Sequence, residues 1–276
     1  MRDEPNDPRN DELGDRVKAF ESVYARQMLP DSLPIVIRLD GRAFHTFTRG
    51  CERPFDPNLR GIMVDTARAC ALETNAVLTY TQSDEITLVL KGNEPEGSQT
   101  YFGGRVQKIV SCLASRASVV FNSLIPKYLP SKAGAAPVFD CRVWSVPTRK
   151  DACDAVAWRE TDARVNAVEM AARAHFSHKA LDGKSGPEMR AMMLEKGVDF
   201  RDYPINFRRG TYLQRREIRR KYTTSELEVL PPKHNARNNP DLVVVRHDLV
   251  EVDLPPFFRI LNPEEVVFEG ADAVLE

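Results

Sequence analysis

Runs of apolar residues along the chain predict the first strands of a sheet. Ile35-Val36-Ile37, inside the stretch LPIVIRLDGRAFHTF, is a β-branched run that predicts a buried strand ending at Asp40. The runs 77–80 and 86–90 flank the polar turn 82–85 and predict a hairpin with acidic residues at its tip. The pattern therefore predicts that acidic side chains lie at neighbouring strand ends.

Helical spacing of apolar residues separates these strands. Asp56-Pro57 predicts an N-cap and a proline in the first turn of a helix that runs to about Asn75. A second long helix is predicted from 101 to 124, and another strand from 137 to 146. The order over residues 33–146 is β-α-β-β-α-β, which predicts an α+β, ferredoxin-like fold. Polymerase and nucleotidyl-cyclase palms share this plan, so the palm is predicted by fold analogy.

The rest of the chain is predicted to surround this palm. A helix at 15–28 leads into it, and the helical and basic region that follows is packed on or next to it, with small β elements. The predicted divisions are a disordered tail at 1–14, the palm catalytic domain at 15–150, the helical and basic region at 151–270 and a tail at 271–276.

The region after the palm begins with a long, charged helical segment. The polar stretch 223–240 predicts a mobile loop, and the runs 242–245 and 250–252 predict a closing pair of strands. The apolar residues predicted to form the inner face of the long helix are Ala155, Trp158, Val165, Val168 and Ala172.

Composition limits the class of protein. With 276 residues, 42% hydrophobic and 29% charged, the chain is expected to be a globular protein with a substantial core. Its net charge of −1 means that contact with nucleic acid has to come from local basic patches. The five cysteines form no CxxC pair, and no secretion signal or membrane-length apolar run is evident, so we expect reduced thiols, a cytoplasmic location and no membrane.

Two acidic side chains carry the predicted chemistry. Asp40 and Asp84 come from different strands, and a palm brings such residues together to share Mg²⁺ ions for phosphoryl or nucleotidyl transfer. The alternative is that they are two unrelated turn residues. Glu85 either tunes this site or caps the turn, and Ser83 either donates to a phosphate or is an ordinary turn residue.

The segment 207–221 concentrates positive charge, with only Glu217 opposing it. Such a segment predicts contact with a polyphosphate backbone, and Tyr212 and Tyr222 would stack on bases. The alternative is a solvated charged face. His45, beside the predicted metal turn, is either a ligand contact or a structural histidine. The candidate RNA-binding arginines of this segment are Arg208, Arg209, Arg215, Arg216, Arg219 and Arg220.

Several separated motifs resemble those of one family. IVIRLDGRAFHTF, the TQSDE turn, FDCRVW, AWRETDARVNA and FRRGT occur in the same order in the tRNA-His guanylyltransferase family, and the resemblance covers about residues 15–215. This family is a reverse polymerase with a palm, which adds nucleotides to an RNA 5′ end in the 3′–5′ direction. The resemblance therefore implies a tRNA 5′-end nucleotidyltransferase.

The resemblance also implies roles for individual residues. Asp40, the Gly41 carbonyl and Asp84 match the family's Mg²⁺ ligands, and Arg53 stands where the family usually has a lysine that meets the triphosphate. The implied GTP-binding residues are Asp40, Gly41, Arg42, Ala43, Phe44, His45, Ser83 and Asp84, with Arg53 and Asp56 nearby. The implied RNA-contacting residues are Arg105 and Lys108 on the second helix and Arg164 and Asn166 after the AWRET motif.

One motif departs from the eukaryotic pattern. Where eukaryotic members have HINNLYNT, this chain has Arg164-Val165-Asn166-Ala167-Val168-Glu169, which resembles the bacterial and archaeal branch. That branch is associated with templated repair of 5′-truncated tRNA. The implied reaction uses two Mg²⁺ ions: ATP adenylylates a 5′-monophosphate end, and the 3′-hydroxyl of GTP then attacks the activated phosphate. The family also implies a homotetramer.

Two other functions are compatible with the same residues. A palm-type nucleotide cyclase would use Asp40 and Asp84 without RNA, and a non-catalytic RNA-binding protein would need neither carboxylate. The basic segment 207–221 with Arg105 and Lys108 favours an RNA substrate, and the intact acidic pair favours catalysis.

Overall fold

The computed structural model describes residues 12–92, 100–239 and 241–275. Four parts of the chain lie outside the described residues: 1–11 of the predicted disordered tail, 93–99, residue 240 of the predicted mobile loop and residue 276 of the predicted C-terminal tail. In chain order the elements are α1 (Glu12–Ala25), β1 (Ile35–Gly41), α2 (Phe44–Phe47), α3 (Pro57–Thr74), β2 (Leu78–Gln82), β3 (Glu85–Leu90), α4 (Val106–Tyr128), β4 (Phe139–Ser145), α5 (Arg149–His175), α6 (His178–Leu181), α7 (Gly186–Glu195), α8 (Ile205–Arg209), β5 (Thr211–Lys221), α9 (Thr224–Val229), α10 (Asn235–Asn238), β6 (Val243–Val252) and α11 (Pro263–Glu269).

These strands form one antiparallel sheet in the order β4-β1-β3-β2-β5-β6. The first four strands, with α3 and α4, confirm the predicted ferredoxin-like β-α-β-β-α-β unit. β5 and β6 extend the same sheet, so strands from both sides of the predicted boundary near residue 150 pair with one another.

Each face of the sheet has its own core. Because strand side chains alternate, Ile35, Ile37 and Leu39 of β1 face α3 and α4, whereas Val36 faces α5 and α11. At the end of β1 the Val36 face carries Arg38 and Asp40, which are only partly buried. The polar end of this face is therefore open beside the acidic tips of the strands.

The helix α3 begins where the sequence predicts. Asp56 is its N-cap and accepts hydrogen bonds from Asn58 N at 2.9 Å and Leu59 N at 3.1 Å, with Pro57 in the first turn. Asn75 ends the helix in the left-handed conformation, with a φ of 55°. This capping fixes the residue at which α3 begins.

The helix α4 begins and ends a few residues later than predicted, and by length and composition it is apolar enough to cross a membrane, contrary to the expectation from the sequence. One stripe of it packs into the core on the α3 side of the sheet, as in the core helix of a globular protein. The buried residues of this stripe are Ile109, Leu113, Ala117, Phe121 and Ile125.

The structure corrects four predictions for the second half of the chain. On α5, Trp158 and Val165 are 60% and 53% exposed, so they do not belong to the inner face. The predicted pair of strands is the single strand β6, and the predicted mobile loop contains the short helices α9 and α10. Residues of the predicted C-terminal tail are held in place, since the amide of Val274 donates to Asn262 Oδ1 at 2.8 Å.

Candidate functional site

The two predicted metal-binding aspartates lie at adjoining strand ends. The amide of Gly41 donates a hydrogen bond to the carbonyl of Asp84 at 3.0 Å, which ties the end of β1 to the β2–β3 turn. In the β1–β3 ladder, Asp40 stands opposite Glu85. Residues that are remote along the sequence are therefore brought together by the register of two antiparallel strands, as the palm prediction requires.

The local backbone holds these turns in fixed conformations. Ser83 has a φ of 54°, which is uncommon for a residue with a side chain, and its hydroxyl donates to Asp84 Oδ1 at 3.1 Å. A Cβ on Gly41 would collide with the ring of Phe44. Gly41 is thus required because an aromatic core side chain packs against its backbone, in addition to any ligand contact there.

Three arginines surround the acidic residues. The guanidinium of Arg38 contacts both Glu85 and Asp40, at 3.5 Å from Asp40 Oδ2. Arg142 approaches the same Asp40 oxygen at 3.8 Å, and Arg159 bonds the other oxygen of Glu85. The site therefore combines negative charge for cations with positive charge for phosphate groups.

Glu85, which the sequence predicts either to tune the site or to cap the turn, lies between two arginines. Its two carboxylate oxygens accept from Arg38 and from Arg159, so both are already engaged by guanidinium groups. Such a carboxylate positions the two arginines, and a metal ligand is better supplied by its neighbours Asp40 and Asp84. The sequence interpretation that Glu85 tunes the site fits this geometry.

The carboxylates of Asp40 and Asp84 carry like charges and repel each other when no cation is bound. Burial, and then the charge of Asp40, raise the pKa of the Asp84 carboxyl above its ordinary value, although its own backbone amide and Ser83 oppose the shift. Because the folded state binds this proton more tightly than the unfolded state, ionised Asp84 costs stability above the ordinary carboxyl pKa, and protonation removes that cost.

We therefore expect that Asp84→Asn raises the melting temperature of the metal-free protein at pH 7. The gain should shrink as the pH falls toward the ordinary carboxyl pKa of about 4 and disappear well below it, where Asp84 is protonated in both states. Thermal unfolding in EDTA across this pH range measures the effect, with the exposed Asp154→Asn as the control. A gain that is independent of pH would contradict the electrostatic explanation.

The residues present fit a magnesium site. Two aspartate carboxylates and a backbone carbonyl are hard oxygen ligands, and Mg²⁺ commonly completes its shell with water and substrate phosphates. Within residues 12–92, 100–239 and 241–275, no group of three or more His, Cys, Asp or Glu side chains is placed to hold a metal. A cation here would consequently depend on Asp40, Asp84, the Gly41 carbonyl and a phosphorylated ligand.

The predicted nucleotide-binding residues divide between the surface and the core. Arg42, Ala43 and His45 are exposed next to the site, and Ala43 has a φ of 56°. Phe44 is buried and its ring packs against Phe121 and other core rings, so its side chain is not available to a nucleotide. Its part in the motif is to anchor the turn after Gly41 to the core.

A cavity of about 180 Å³ opens beside the β2–β3 turn. Its wall includes Arg53, Asp56 and Ser83, which the sequence predicts to contact a nucleotide, and also Cys51 and Asn206. Mixed apolar and polar walls next to an acidic pair suit a base whose phosphates extend toward Asp84. The cavity wall therefore brings Arg53 and Asp56 together with Ser83, so that one nucleotide would contact all three residues.

The predicted RNA-contacting residues outside the basic strand lie at the surface. Arg105 and Lys108 are exposed at the start of α4. On α5, the guanidinium of Arg164 lies 5.2 Å from the ring centroid of Phe258, and the side-chain amide of Asn166 donates to Asp162 at 3.3 Å. These positions remain available to a ligand.

The basic segment 207–221, for which the sequence predicts contact with a polyphosphate backbone, has most of its guanidinium groups bound within the protein. Most of the segment is strand β5. Tyr212 is 3% exposed and stacks on Phe257, so it is not free to stack on a base. The internal partners are Tyr203 O for Arg208, Glu160 and Leu254 O for Arg209, Asn75 for Arg215, Gly270 O for Arg216, and Glu226 and Asp248 for Arg220.

Arg219 differs from these five arginines. Its side chain is exposed and has no ion-pair or hydrogen-bond partner among the residues that the structure describes.

The sequence analysis overlooked Arg38 and Arg159 as residues of the site. Arg38 could have been found, because it precedes Asp40 by two positions in an apolar strand and therefore shares its face. Arg159 has no such signal, since its partner Glu85 is far away in sequence.

Comparisons with known proteins show which family the chain resembles. The model of a family described as tRNAHis guanylyltransferase matches residues 14–147. A bacterial tRNA(His) guanylyltransferase-like protein in complex with ATP is 34% identical and covers 74% of this chain and 87% of its own, with a TM-score of 0.69. One in complex with GTP is 31% identical, with coverage of 74% and 86% and a TM-score of 0.62. A probable tRNA(His) guanylyltransferase of Drosophila melanogaster is 28% identical over 216 residues, 72% of this chain and 74% of the relative.

Proposed function

Because the chain belongs to the tRNA(His) guanylyltransferase family, we propose that it is a nucleotidyltransferase that adds a nucleotide to the 5′ end of a tRNA in the 3′–5′ direction. The observation that carries the proposal is the hydrogen bond from Gly41 N to Asp84 O at 3.0 Å. That contact joins two strand ends, each of which carries a carboxylate, next to a cavity that suits a nucleotide.

Asp40, Asp84 and the Gly41 carbonyl would hold the metal. When bound there, Mg²⁺ would supply a lowered pKa for an attacking hydroxyl and neutralisation of charge on the phosphates. Arg38 and Arg142 both lie within 4 Å of Asp40, so they compensate its charge and present donors to phosphate oxygens. Glu85 fixes Arg38 from the other side, which limits the positions that this guanidinium can adopt.

The residues of this chain would chiefly position the reactants. Arg53 and Asp56 at the cavity wall would orient the nucleotide. The Ser83 hydroxyl would donate to a phosphate only after turning away from Asp84 Oδ1, to which it donates at 3.1 Å. The 3′-hydroxyl of GTP then faces the RNA 5′ phosphate, which ATP has activated by adenylylation. The new bond joins that 3′ oxygen to the phosphorus, and AMP leaves. Alignment of the two reactants and charge neutralisation account for most of the catalysis in such transfers.

The substrate is proposed to be a tRNA that lacks its 5′-terminal nucleotide. The sequence Arg164-Val165-Asn166 at the site of the eukaryotic motif favours templated repair over dedicated G addition. Arg105, Lys108, Arg164 and Asn166, all at the surface, and the unpaired Arg219 are proposed to contact the RNA. The internally paired arginines of α8 and β5 are left out of this set.

One incubation separates the three candidate functions. The protein is mixed with labelled GTP, ATP, Mg²⁺ and a 5′-monophosphorylated tRNA that lacks its first nucleotide. We expect RNA longer by one nucleotide, and none with Asp40→Asn. A cyclic nucleotide formed without RNA would indicate a cyclase. RNA that binds to the protein but is not extended would indicate a non-catalytic RNA-binding protein.

We also propose that the protein forms a homotetramer, and that α1 contributes to its assembly. Val17, Phe20, Val23 and Tyr24 on α1 are between 53% and 84% exposed, and no residue of α1 is buried. An uncovered apolar helix face of this size is typical of a surface that another molecule covers. In the proposed homotetramer, a second copy of the chain would cover this face of α1.

Phe20→Asp is expected to shift the assembly toward smaller species, because it places a charge in an apolar contact. Light scattering coupled to gel filtration measures the molecular mass. Ser22→Asp, on a polar part of the same helix, is the matched control and should leave the mass unchanged. An unchanged mass for the Phe20 variant would exclude α1 from the interface.

A further inference from the structure

We infer that Trp158 is an RNA-positioning residue, whose indole stacks on the base of the RNA's 5′-terminal nucleotide. Trp158 lies on α5 and its side chain is 60% exposed, although the helical pattern predicts it to face inward. A large, exposed indole gains little from the fold itself. The inference rests on the proposed function, since it names the residue that would receive the RNA end.

The arrangement around Trp158 holds the ring in a fixed place. The guanidinium of Arg159 lies 4.5 Å from the indole centroid, which is cation–π geometry. Arg159 is itself 8% exposed and is fixed by Glu85 and by Asp162 at 3.0 Å. Because one contact of the ring is with a guanidinium that cannot move freely, the exposed part of the indole is a prepared surface for a second planar group.

A chain of contacts leads from Trp158 to the proposed metal site. Arg159 bonds Glu85, Glu85 bonds Arg38, and Arg38 contacts Asp40 at 3.5 Å. Glu85 also directly follows Asp84 in the sequence. The indole is therefore connected, through charged side chains, to the place where the RNA 5′ phosphate would react.

The position of Trp158 favours the RNA base as its stacking partner over the base of the incoming nucleotide. The cavity proposed for that nucleotide is lined by Ser83, Arg53 and Asp56, and its lining includes neither Glu85 nor Arg159 nor Trp158. The cavity and the indole therefore share none of these residues. A nucleotide in the cavity and an RNA end on the indole would both reach toward Asp40 and Asp84, since Ser83 of the cavity wall precedes Asp84 and the Trp158 contacts lead to Asp40.

Stacking on an aromatic ring is tolerant of base identity, because every base has a π-face. An enzyme that accepts different 5′-terminal nucleotides would gain from such a contact. It would position the end without reading its sequence. Templating would then be left to base pairing with the opposite RNA strand.

The chain provides its own spectroscopic probe for this contact. It contains two tryptophans, so Trp144→Phe leaves Trp158 as the single emitting indole. In this background we expect a 5′-truncated tRNA to quench the emission, with saturation at the RNA concentration that filter binding gives. A tRNA with an abasic 5′-terminal nucleotide should bind without this quenching. Equal quenching by both RNAs would overturn the inference.

Kinetics in the wild-type background provide the second arm. Trp158→Ala should raise the KM for RNA roughly ten-fold, whereas Trp158→Phe should retain most of the affinity because it can still stack. With the abasic RNA, Trp158→Ala should have little further effect, since the partner base is already absent. A KM increase of the same size on both RNAs would show that the indole does not act through that base.

The same preparations keep a failure of this inference apart from a failure of the proposed function. If wild-type protein extends the tRNA but Trp158→Ala does so with an unchanged KM, only the stacking is wrong. If neither the wild-type protein nor any variant extends the tRNA, both the proposed function and the inference about Trp158 are wrong. Emission of Trp158 that changes with protein concentration in the absence of RNA would assign the indole to a subunit contact and would also overturn the inference.

Discussion

Asp84→Asn is expected to lower the rate of nucleotide addition at least about 100-fold, because it removes a metal ligand whose charge neutralisation is worth several kcal/mol. The substitution keeps the size of the side chain, and an amide can still accept the hydrogen bond from Ser83. A rate measured with saturating GTP and RNA therefore reports the lost charge rather than a change of fold.

Asp154→Asn is the matched control for this loss. Asp154 is exposed on α5, pairs with Lys150 at 2.6 Å and is expected to leave the rate unchanged. The metal-free Asp84→Asn protein should at the same time be more stable than wild type at pH 7, since the raised carboxyl pKa makes ionised Asp84 a cost to folding. A variant that is active, or inactive because it is unfolded, would contradict the assignment.

Glu160→Ala is expected to lower the free energy of unfolding by about 3–5 kcal/mol, the usual cost of breaking a buried ion pair by removing one partner. Glu160 is 1% exposed and accepts from Arg209 at 2.7 Å and from the amide of Phe257 at 2.7 Å. Its loss leaves a nearly buried guanidinium without its carboxylate. Urea unfolding measures the change.

A second pair of variants separates this structural role from RNA contact. Glu160→Leu with Arg209→Met replaces the pair by apolar groups and should recover most of the stability, as buried pairs often allow. Arg219→Ala should change stability by less than about 0.5 kcal/mol but weaken RNA binding and flatten its dependence on salt. A flattened salt slope in the double variant would instead restore Arg209 to the RNA-binding surface.

Local pattern was sufficient for the part of the fold that forms the site. The runs of β-branched and other apolar residues around Val36 and Leu88 have the pattern of buried strands. Asp56 caps α3 through hydrogen bonds from backbone amides of the first turn of that helix. These signals act within a few residues, so they can be read without the fold. The meeting of Asp40 with Asp84 followed once the strand order was known.

The errors arise where the deciding partner is distant in sequence. Arg159 and Glu160 lie on the inner face of α5 because Glu85 and Arg209 meet them there, and this turns Trp158 outward. A charged helix with buried ion pairs cannot be oriented from its apolar residues alone. The same reason explains β5, whose arginines seem unopposed in sequence until the sheet brings Asp248 and Glu226 to Arg220.

The most direct test of the central claim is a crystal structure with GTP and Mn²⁺, which takes Mg²⁺ sites and scatters anomalously. The account predicts an anomalous peak at about 2.1 Å from carboxylate oxygens of both Asp40 and Asp84, an octahedral distance for such an ion, with the triphosphate completing its shell. A triphosphate bound elsewhere, or an ion that neither carboxylate contacts, would contradict it.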